Sequence, residues 1–221
     1  MTVADASSLP HLLRAGLADL GLTLTDTQIE QLISYQDLIA KWNRVYNLTA
    51  VRDATDMLYH HLLDSLAVVP LLRRQLETVP KPAYRLLDVG AGAGLPGVVL
   101  AICLPELRVS CVDTVGKKTA FIQQVGSALG LPNLKAIHAR VETLDSAHWD
   151  VVCSRAFATL TDFSTWSRAA LAPGGVWLAM KGKHPADELA ALPADVEVFH
   201  VEQLSVPGLA AERCLVWLRP R

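Results

Sequence analysis

The run Leu86-Leu87-Asp88-Val89-Gly90-Ala91-Gly92-Ala93-Gly94-Leu95-Pro96-Gly97 joins a short apolar strand, a glycine-rich turn and a helix start. Glycines permit positive φ and remove Cβ atoms from the turn, so a ligand can lie against main-chain N–H groups at the helix N-terminus. Pro96 suits the first helical turn, where its missing N–H costs little. Two carboxylates frame the turn. Asp88 precedes Gly90, and Asp113 closes the next apolar run, Val109-Ser110-Cys111-Val112-Asp113. Asp113 lies about twenty residues beyond the turn, where a carboxylate usually holds ribose hydroxyls. The plainer reading of Asp113 is a cap for a helix beginning near Gly116. Other chemistries have less behind them. No Ser-His-Asp order is tied to a nucleophile elbow, and no carboxylates pair at a hydrolytic spacing. His60 and His61 are adjacent, so they point to different faces of a helix and do not form a metal pair. No metal site is expected.

Two enzyme classes use such a turn. Gly92-Ala93-Gly94-Leu95-Pro96-Gly97 matches the G-x-G-x-x-G of dinucleotide-binding enzymes. A turn opening at Gly92 would extend the strand to Gly90 and draw Asp88 into the apolar interior, where an unpaired carboxylate is costly. A turn opening at Gly90 leaves Asp88 at the strand end, able to face a cationic ligand, as does the acidic residue before G-x-G-x-G in methyltransferases. Loop and sheet together favour a methyltransferase over an NAD-dependent dehydrogenase. A non-catalytic RNA-binding module that keeps a relic pocket is the third reading.

The elements that position these residues fall into two textures. From Thr25 to Leu76 apolar residues recur at helical spacing, as in Ile29, Leu32, Ile33 and Ile39, then Leu58, Leu62, Leu66 and Val69. Thr25 or Asp26 caps the first long helix, and Tyr46-Asn47-Leu48-Thr49 breaks the period before Asp53 and Asp56 open the next. Pro80 and Pro82 mark a boundary, giving a helical N-terminal extension over 1–80 and an α/β domain over 81–221. Beyond it, short apolar runs predict strands near Arg85–Val89, Arg108–Asp113, Leu134–His138, Asp150–Ser154, Val176–Lys181, Val196–Leu204 and Arg213–Leu218. Helices fit at Pro96–Leu104, Lys117–Leu129, Leu160–Leu171 and Ala186–Ala191. The last two strands are joined by Ser205–Ala211, too short for a helical crossover but ample for an antiparallel hairpin. The expected fold is therefore a Rossmann-like class I methyltransferase, with a seven-stranded, mostly parallel sheet whose last strand is antiparallel.

Composition narrows the setting. Apolar residues make up 51% of the 221 and charged residues 19%, which describes a folded globule. The longest apolar stretches, such as Val98–Leu104, are far shorter than the roughly 18–20 residues of a membrane span. The basic opening of a secretory signal is lacking, so a cytoplasmic protein without membrane contact is expected. Cys103, Cys111, Cys153 and Cys214 sit apart in apolar runs and read as buried thiols. The formal net charge of −2 lacks the basic excess usual in nucleic-acid binders, so any RNA contact has to be local.

Taken in order, these motifs resemble the RsmG (GidB) family of small-subunit ribosomal RNA methyltransferases, which make 7-methylguanosine in 16S-type rRNA. The likeness covers most of the chain. It includes Asp88 to Gly97, Asp113-Thr114-Val115-Gly116-Lys117-Lys118, Arg140-Val141-Glu142, Ser154-Arg155-Ala156-Phe157-Ala158 and Lys181-Gly182. Upstream it includes Trp42 to Thr49 and His60-His61-Leu62-Leu63-Asp64-Ser65. Ala91 departs from the serine or threonine of many members. The resemblance implies S-adenosyl-L-methionine as cofactor, with Gly90 and Leu95 on its methionine and ribose side, Val141 and Glu142 beside adenine, and Arg155 closing the pocket. Position agrees in part, because Val141, Glu142 and Arg155 follow or end strands at the carboxyl edge where doubly wound sheets bind ligands. Without the resemblance, Glu142 reads equally as a solvated loop residue and Arg155 as a surface ion pair.

Methyl transfer from a sulfonium is an in-line displacement that chiefly needs alignment. The ring nitrogen of guanine implied by the resemblance already carries a lone pair, so no general base is assigned. Asp88 is a candidate to stabilise the cationic product. Local cations near motif edges, Arg44, Arg52, Lys117, Lys118, Arg155, Lys181 and Lys183, are candidates to hold RNA, and Trp42, Tyr46 and Phe157 to stack a base, although core packing is the commoner fate of an aromatic. The implied partner is 16S-type rRNA or a small-subunit assembly intermediate, with the target base unstacked; the sequence leaves the oligomeric state open, a monomer being favoured.

Overall fold

A computed structural model describes residues 8–78, 81–144, 147–155 and 158–221. Pro80, one of the expected boundary residues, and Phe157, one of the expected stacking aromatics, lie outside the described residues. The helical half comprises α1 (Leu9–Asp19), α2 (Asp26–Tyr46), α3 (Ala54–Met57), a π-helical turn over Leu58–Leu63, α4 (Asp64–Leu66) and α5 (Val69–Glu77). Thr25 caps α2 through a capping box, its hydroxyl accepting from the Gln28 N–H while the Gln28 side chain accepts from the Thr25 N–H. Asn47 stops α2 in the left-handed region, and Asp53 caps α3 by accepting from the Thr55 and Asp56 amides. Helix α1 was not foreseen. Gly16 weakens its helical pattern and exists for packing, since a Cβ there would meet the Leu63 side chain at 2.5 Å.

The α/β half runs β1 (Arg85–Val89), α6 (Gly97–Cys103), β2 (Arg108–Asp113), α7 (Gly116–Ala128), β3 (Leu134–His138), β4 (Trp149–Arg155), α8 (Leu160–Trp166), β5 (Leu171–Lys181), α9 (Ala186–Ala190), β6 (Val196–Leu204) and β7 (Arg213–Pro220). The strands lie in the order β3-β2-β1-β4-β5-β7-β6. β1 to β5 are parallel, and β7 runs antiparallel to both β5 and β6. All seven expected strands form. The helix expected over Leu160–Leu171 is shorter: α8 ends at Trp166, a 3₁₀ turn covers Arg168–Ala170, and Leu171 already belongs to β5. The Ser167 hydroxyl donates to the Phe163 carbonyl and accepts from the Trp177 indole N–H, which draws the chain from helix to strand.

Side chains alternate across the sheet with period two. Leu86, Val109, Cys111, Val151, Cys153, Leu178 and Met180 face one layer, where they share a continuous core with α1 to α7. Leu87, Val89, Val112, Val152, Trp177, Ala179 and Val216 face the other, under Leu160 and Phe163 of α8. The helical extension therefore packs into the first layer rather than standing apart. Helix α2 is stitched to it by polar side chains: Gln28 Nε2 donates to the Ile102 carbonyl and Gln31 Nε2 to the Leu129 carbonyl, each at 2.8 Å. Most important for the site, fully buried Tyr35 donates its hydroxyl to the carbonyl of Ala93 in the glycine turn at 2.7 Å. Burial pushes its phenol well above 10.0, keeping it a donor.

Tyr35→Phe removes that donor and leaves the Ala93 carbonyl unpaired, which costs about 1–3 kcal/mol for a buried group. Urea unfolding is expected to show a lower midpoint at unchanged slope; an unaltered midpoint rules the tether out.

Candidate active site at the sheet's switch point

Strand order reverses between β1 and β4, and a crevice opens there at the carboxyl ends of the parallel strands. It has two lobes that share Gly90. A cavity of about 440 Å³ is lined by the turn residues Gly90 to Ala93 and Leu95, by Arg155, Met180, Lys181 and Gly182 at the ends of β4 and β5, and by Arg213 where β7 begins. The helical extension completes it with Leu48, Thr49, His60 and Asp64. A second cavity, of about 330 Å³, is lined by Asp113, Lys118, Val141, Glu142 and Trp166, among others. The six cofactor-site residues expected from sequence are thus brought together. Leu95 and Arg155 line the larger lobe, Asp113, Val141 and Glu142 the smaller, and Gly90 the neck.

The turn opens at Gly90, as expected, with Gly90, Gly92 and Gly94 at φ 67°, 60° and 92°, a conformation that favours glycine. Two expectations about it need correction. Its amides are largely committed inside the protein: Gly90 and Ala91 donate to the Val112 carbonyl, Gly92 to Asp113 Oδ2, Gly94 and Leu95 to the Ala91 carbonyl, and Gly97 to Asp88 Oδ2. The turn therefore offers a ligand close approach rather than a row of donors. Asp88, for its part, does not face the crevice. Strand alternation puts it on the same face as Leu86, beneath the start of α6, where it is fully buried and accepts the Gly97 amide at 2.9 Å. A Cβ on residue 97 would stand 2.8 Å from Asp88 Oδ2, which explains the glycine. Asp88 Oδ1 has no hydrogen-bond partner among the described residues. Burial pushes the Asp88 carboxyl from 3.8 up to about 7, against the lowering effects of the Gly97 amide and then Arg155. The Gly97 amide at the start of α6 is thus taken by a buried carboxyl rather than offered to a pyrophosphate, which counts against the dehydrogenase reading. Pro96, expected in the first helical turn, is the residue that caps α6.

Asp113 lines the smaller lobe and tethers the entry to α7 without capping it, since α7 has no side-chain cap hydrogen bond. Its Oδ1 accepts the Val115 amide at the entry to α7, its Oδ2 accepts Gly92, and Lys118 Nζ lies 3.6 Å away. Val141 and Glu142 form a short 3₁₀ turn, with Glu142 paired to Arg140 at 2.7 Å. Its carboxyl is lowered by its backbone and Arg140 hydrogen bonds. Arg155 is more than a surface ion pair. Its Nη1 donates to the His60 carbonyl at 2.9 Å and to Asp64 Oδ2 at 3.0 Å, while Asp64 Oδ1 accepts from Arg213 Nε at 2.8 Å.

Sequence reasoning did not single out Asp64, Arg213, Thr49 or Trp166 for the site. Asp64 was legible only inside the family motif, and Arg213 lies in none. His61 is buried, with Nε2 2.7 Å from the Thr49 hydroxyl, and its pKa is lowered by burial and then by Arg155, whereas half-buried His60 lines the cavity. The two histidines thus divide as their adjacency predicts. Of the candidate RNA cations, Lys181 is committed to Glu188 at 2.8 Å, and Lys118 leans on Asp113, while Arg44, Arg52, Lys117 and Lys183 are exposed. Trp42 packs edge-on against Phe121, its ring centre 5.3 Å away, whereas Tyr46 is 39% exposed.

The family described as GidB: rRNA small subunit methyltransferase G matches residues 28–216. A protein named ribosomal RNA small subunit methyltransferase G from an Acidovorax species is 64% identical over 225 residues, covering 100% of this chain and 99% of its own. The one from a Polaromonas species is 66% identical over 208 residues, covering 94% and 92%. Among solved structures, a SAM dependent methyltransferase from Aquifex aeolicus superposes with a TM-score of 0.51 at 16% identity, over 70% of this chain and 92% of that one. Ribosomal protein L11 methylase from Lactobacillus delbrueckii subsp. bulgaricus gives 0.51 at 12% identity, over 72% and 77%. At such identities these two likenesses speak for the Rossmann-like fold.

Because the Asp88 pKa is raised in the folded protein, folding favours its protonated form. Its contribution is complete below the ordinary value of 3.8 and is lost as pH climbs to about 7. Asp88→Asn keeps an acceptor for Gly97 and cannot ionise. Relative to this variant, the unsubstituted protein is expected to lose urea resistance between pH 4 and 7; parallel pH profiles refute the buried-acid assignment.

Proposed function

This chain belongs to the GidB family of ribosomal RNA small subunit methyltransferases, and from that premise we propose that it methylates N7 of a guanosine in small-subunit (16S) rRNA, using S-adenosyl-L-methionine. The observation that carries the reading is the pair of lobes meeting at Gly90, each within or near the usual 300–1,000 Å³ of small-molecule sites. The residues fit the cofactor. Asp113 holds the sugar hydroxyls, Val141 gives adenine an apolar face, and Glu142 gives it a polar edge. Gly90 and Leu95 border the amino-acid tail, with Arg155 at its far side. When bound, the cofactor supplies an electrophilic methyl group on a sulfonium.

The chain's own contribution is alignment. Tyr35, Asp88 and Asp113 each hold one point of the glycine turn, so the ligand meets a wall that is already set. Guanine N7 has a free lone pair, so no protein group has to take a proton. The site supports that economy, because burial and then Arg155 lower the pKa of His61 and so make it a weaker base, and Asp88 is sealed away from the acceptor. The N7 position itself follows from the likeness of the motifs. Residues 1–80 act as an extension of the domain at 81–221, since Thr49, His60 and Asp64 wall the lobe where the base enters. Exposed Arg44, Arg52, Lys117, Lys183 and Tyr46 are the groups we assign to RNA beyond the target nucleotide. No helix among the described residues is long and apolar enough to cross a membrane.

Incubation with methyl-labelled S-adenosyl-L-methionine and rRNA from cells lacking this protein is expected to label one guanosine, located by mass mapping as 7-methylguanosine. Label in protein or small molecules alone defeats the proposal. Asp113→Asn is expected to weaken cofactor binding about 10–100-fold by calorimetry, the worth of a hydrogen bond to a charged group.

A further inference from the structure

Among the described residues, the ionisable side chains that line the larger lobe are His60, Asp64, Arg155, Lys181, Arg213 and the thiol of Cys214. Lys181 is neutralised by Glu188 at 2.8 Å. Arg155 and Arg213 are left to share the single carboxylate of Asp64, whose side chain is only 3% exposed, while each arginine is 22% exposed. Among the described residues one half-buried positive charge is therefore in excess, in a lobe where a sulfonium must enter and a cationic base must form. An oxyanion that arrives with the substrates has to balance it.

Resting on the proposed function, we propose that Arg213 binds a phosphodiester next to the target guanosine, and that Arg155 serves the cofactor's carboxylate. The division follows from the sheet. Arg155 ends β4, directly beside β1 and its glycine turn, whereas Arg213 begins β7, beyond β5. At ~4.8 Å between neighbouring strands the backbone of Arg213 stands about 10 Å farther from the turn, although both guanidinium groups reach the same Asp64 carboxylate. Asp64 Oδ1 accepts Nε of Arg213 and the Glu212 carbonyl accepts Nη1, so the guanidinium is oriented before any ligand arrives. A fixed fork of this kind suits phosphate, which accepts several N–H donors at once. An unstacked base needs such a grip on its own backbone, because pairing and stacking no longer place it.

The test uses Arg213→Gln and Arg155→Gln in the full chain, with calorimetry for S-adenosyl-L-methionine and steady-state methylation of unmodified rRNA. For Arg213→Gln the cofactor Kd is expected to stay within about twofold, the KM for rRNA to rise about tenfold, and the slope of log KM against log salt to fall by about one phosphate contact. Arg155→Gln is expected to weaken the cofactor and leave that slope unchanged. If Arg213→Gln weakens the cofactor as much as Arg155→Gln does, the oxyanion is the cofactor's carboxylate and the assignment is wrong; an unchanged rRNA KM and slope also overturn it. Should Arg213→Gln unfold, Arg213→Lys keeps a cation beside Asp64 and is expected to retain the salt slope while raising KM; a flattened slope in that folded variant counts against the proposal. The unsubstituted protein is assayed alongside, and its failure to methylate rRNA would sink the proposed function itself.

Discussion

The site depends on one buried hydrogen bond, from the Gly97 amide to the Asp88 carboxyl. It ties the end of β1 to the first residue of α6 and closes the glycine turn from beneath. Tyr35 then holds the turn at Ala93 and Asp113 holds it at Gly92, so three contacts from three elements fix a segment that has few side chains of its own. Binding energy at this wall goes into holding the ligand rather than ordering the loop, which is the help that the proposed displacement asks of the protein.

Around this fixed wall the helical extension does more than cover a sheet face. The π-helical turn at Leu58–Leu63 leads into Asp64, and such turns are frequent at functional positions because they re-aim the residues that follow. Here the His60 carbonyl and the Asp64 carboxylate both reach Arg155, while Leu63 seats on Gly16 of α1. Packing of the first helix, the geometry of the turn and the aim of the Arg155 guanidinium thus form one mechanical chain. The capping box at Thr25 and the amide bridges of Gln28 and Gln31 anchor its other end to α6 and α7.

Much of this was legible in residue pattern. All seven strands, the hairpin that reverses β7, the opening of the turn at Gly90 and the caps at Thr25 and Asp53 follow from local rules of period, breaker and side-chain acceptor, and the structure bears them out. The six expected cofactor-site residues converge because each ends or follows a parallel strand, and strand ends share one edge. What escaped was nonlocal or depended on a choice of face. Ending the strand at Val89 says nothing about where Asp88 points; counting back by two to Leu86 does, and it leads inside. Arg213 and Asp64 are 149 residues apart in the chain, and no spacing announces an ion pair made across the sheet. Helix α1 was hidden by a glycine whose reason, the Leu63 side chain, lies in another helix.

The four cysteines acquire a meaning from the ligand class. Each is buried, and burial raises every one of these thiols, Cys103 to about 12. Cys214 borders the larger lobe, yet its Sγ is a donor to the Lys183 carbonyl and its pKa too is raised. Sulfur attacks alkylating agents as thiolate, so thiols kept protonated are poor nucleophiles. A protein that harbours a methylating reagent has thereby disarmed the soft nucleophiles nearest to it, and self-alkylation is suppressed by the same packing that builds the core.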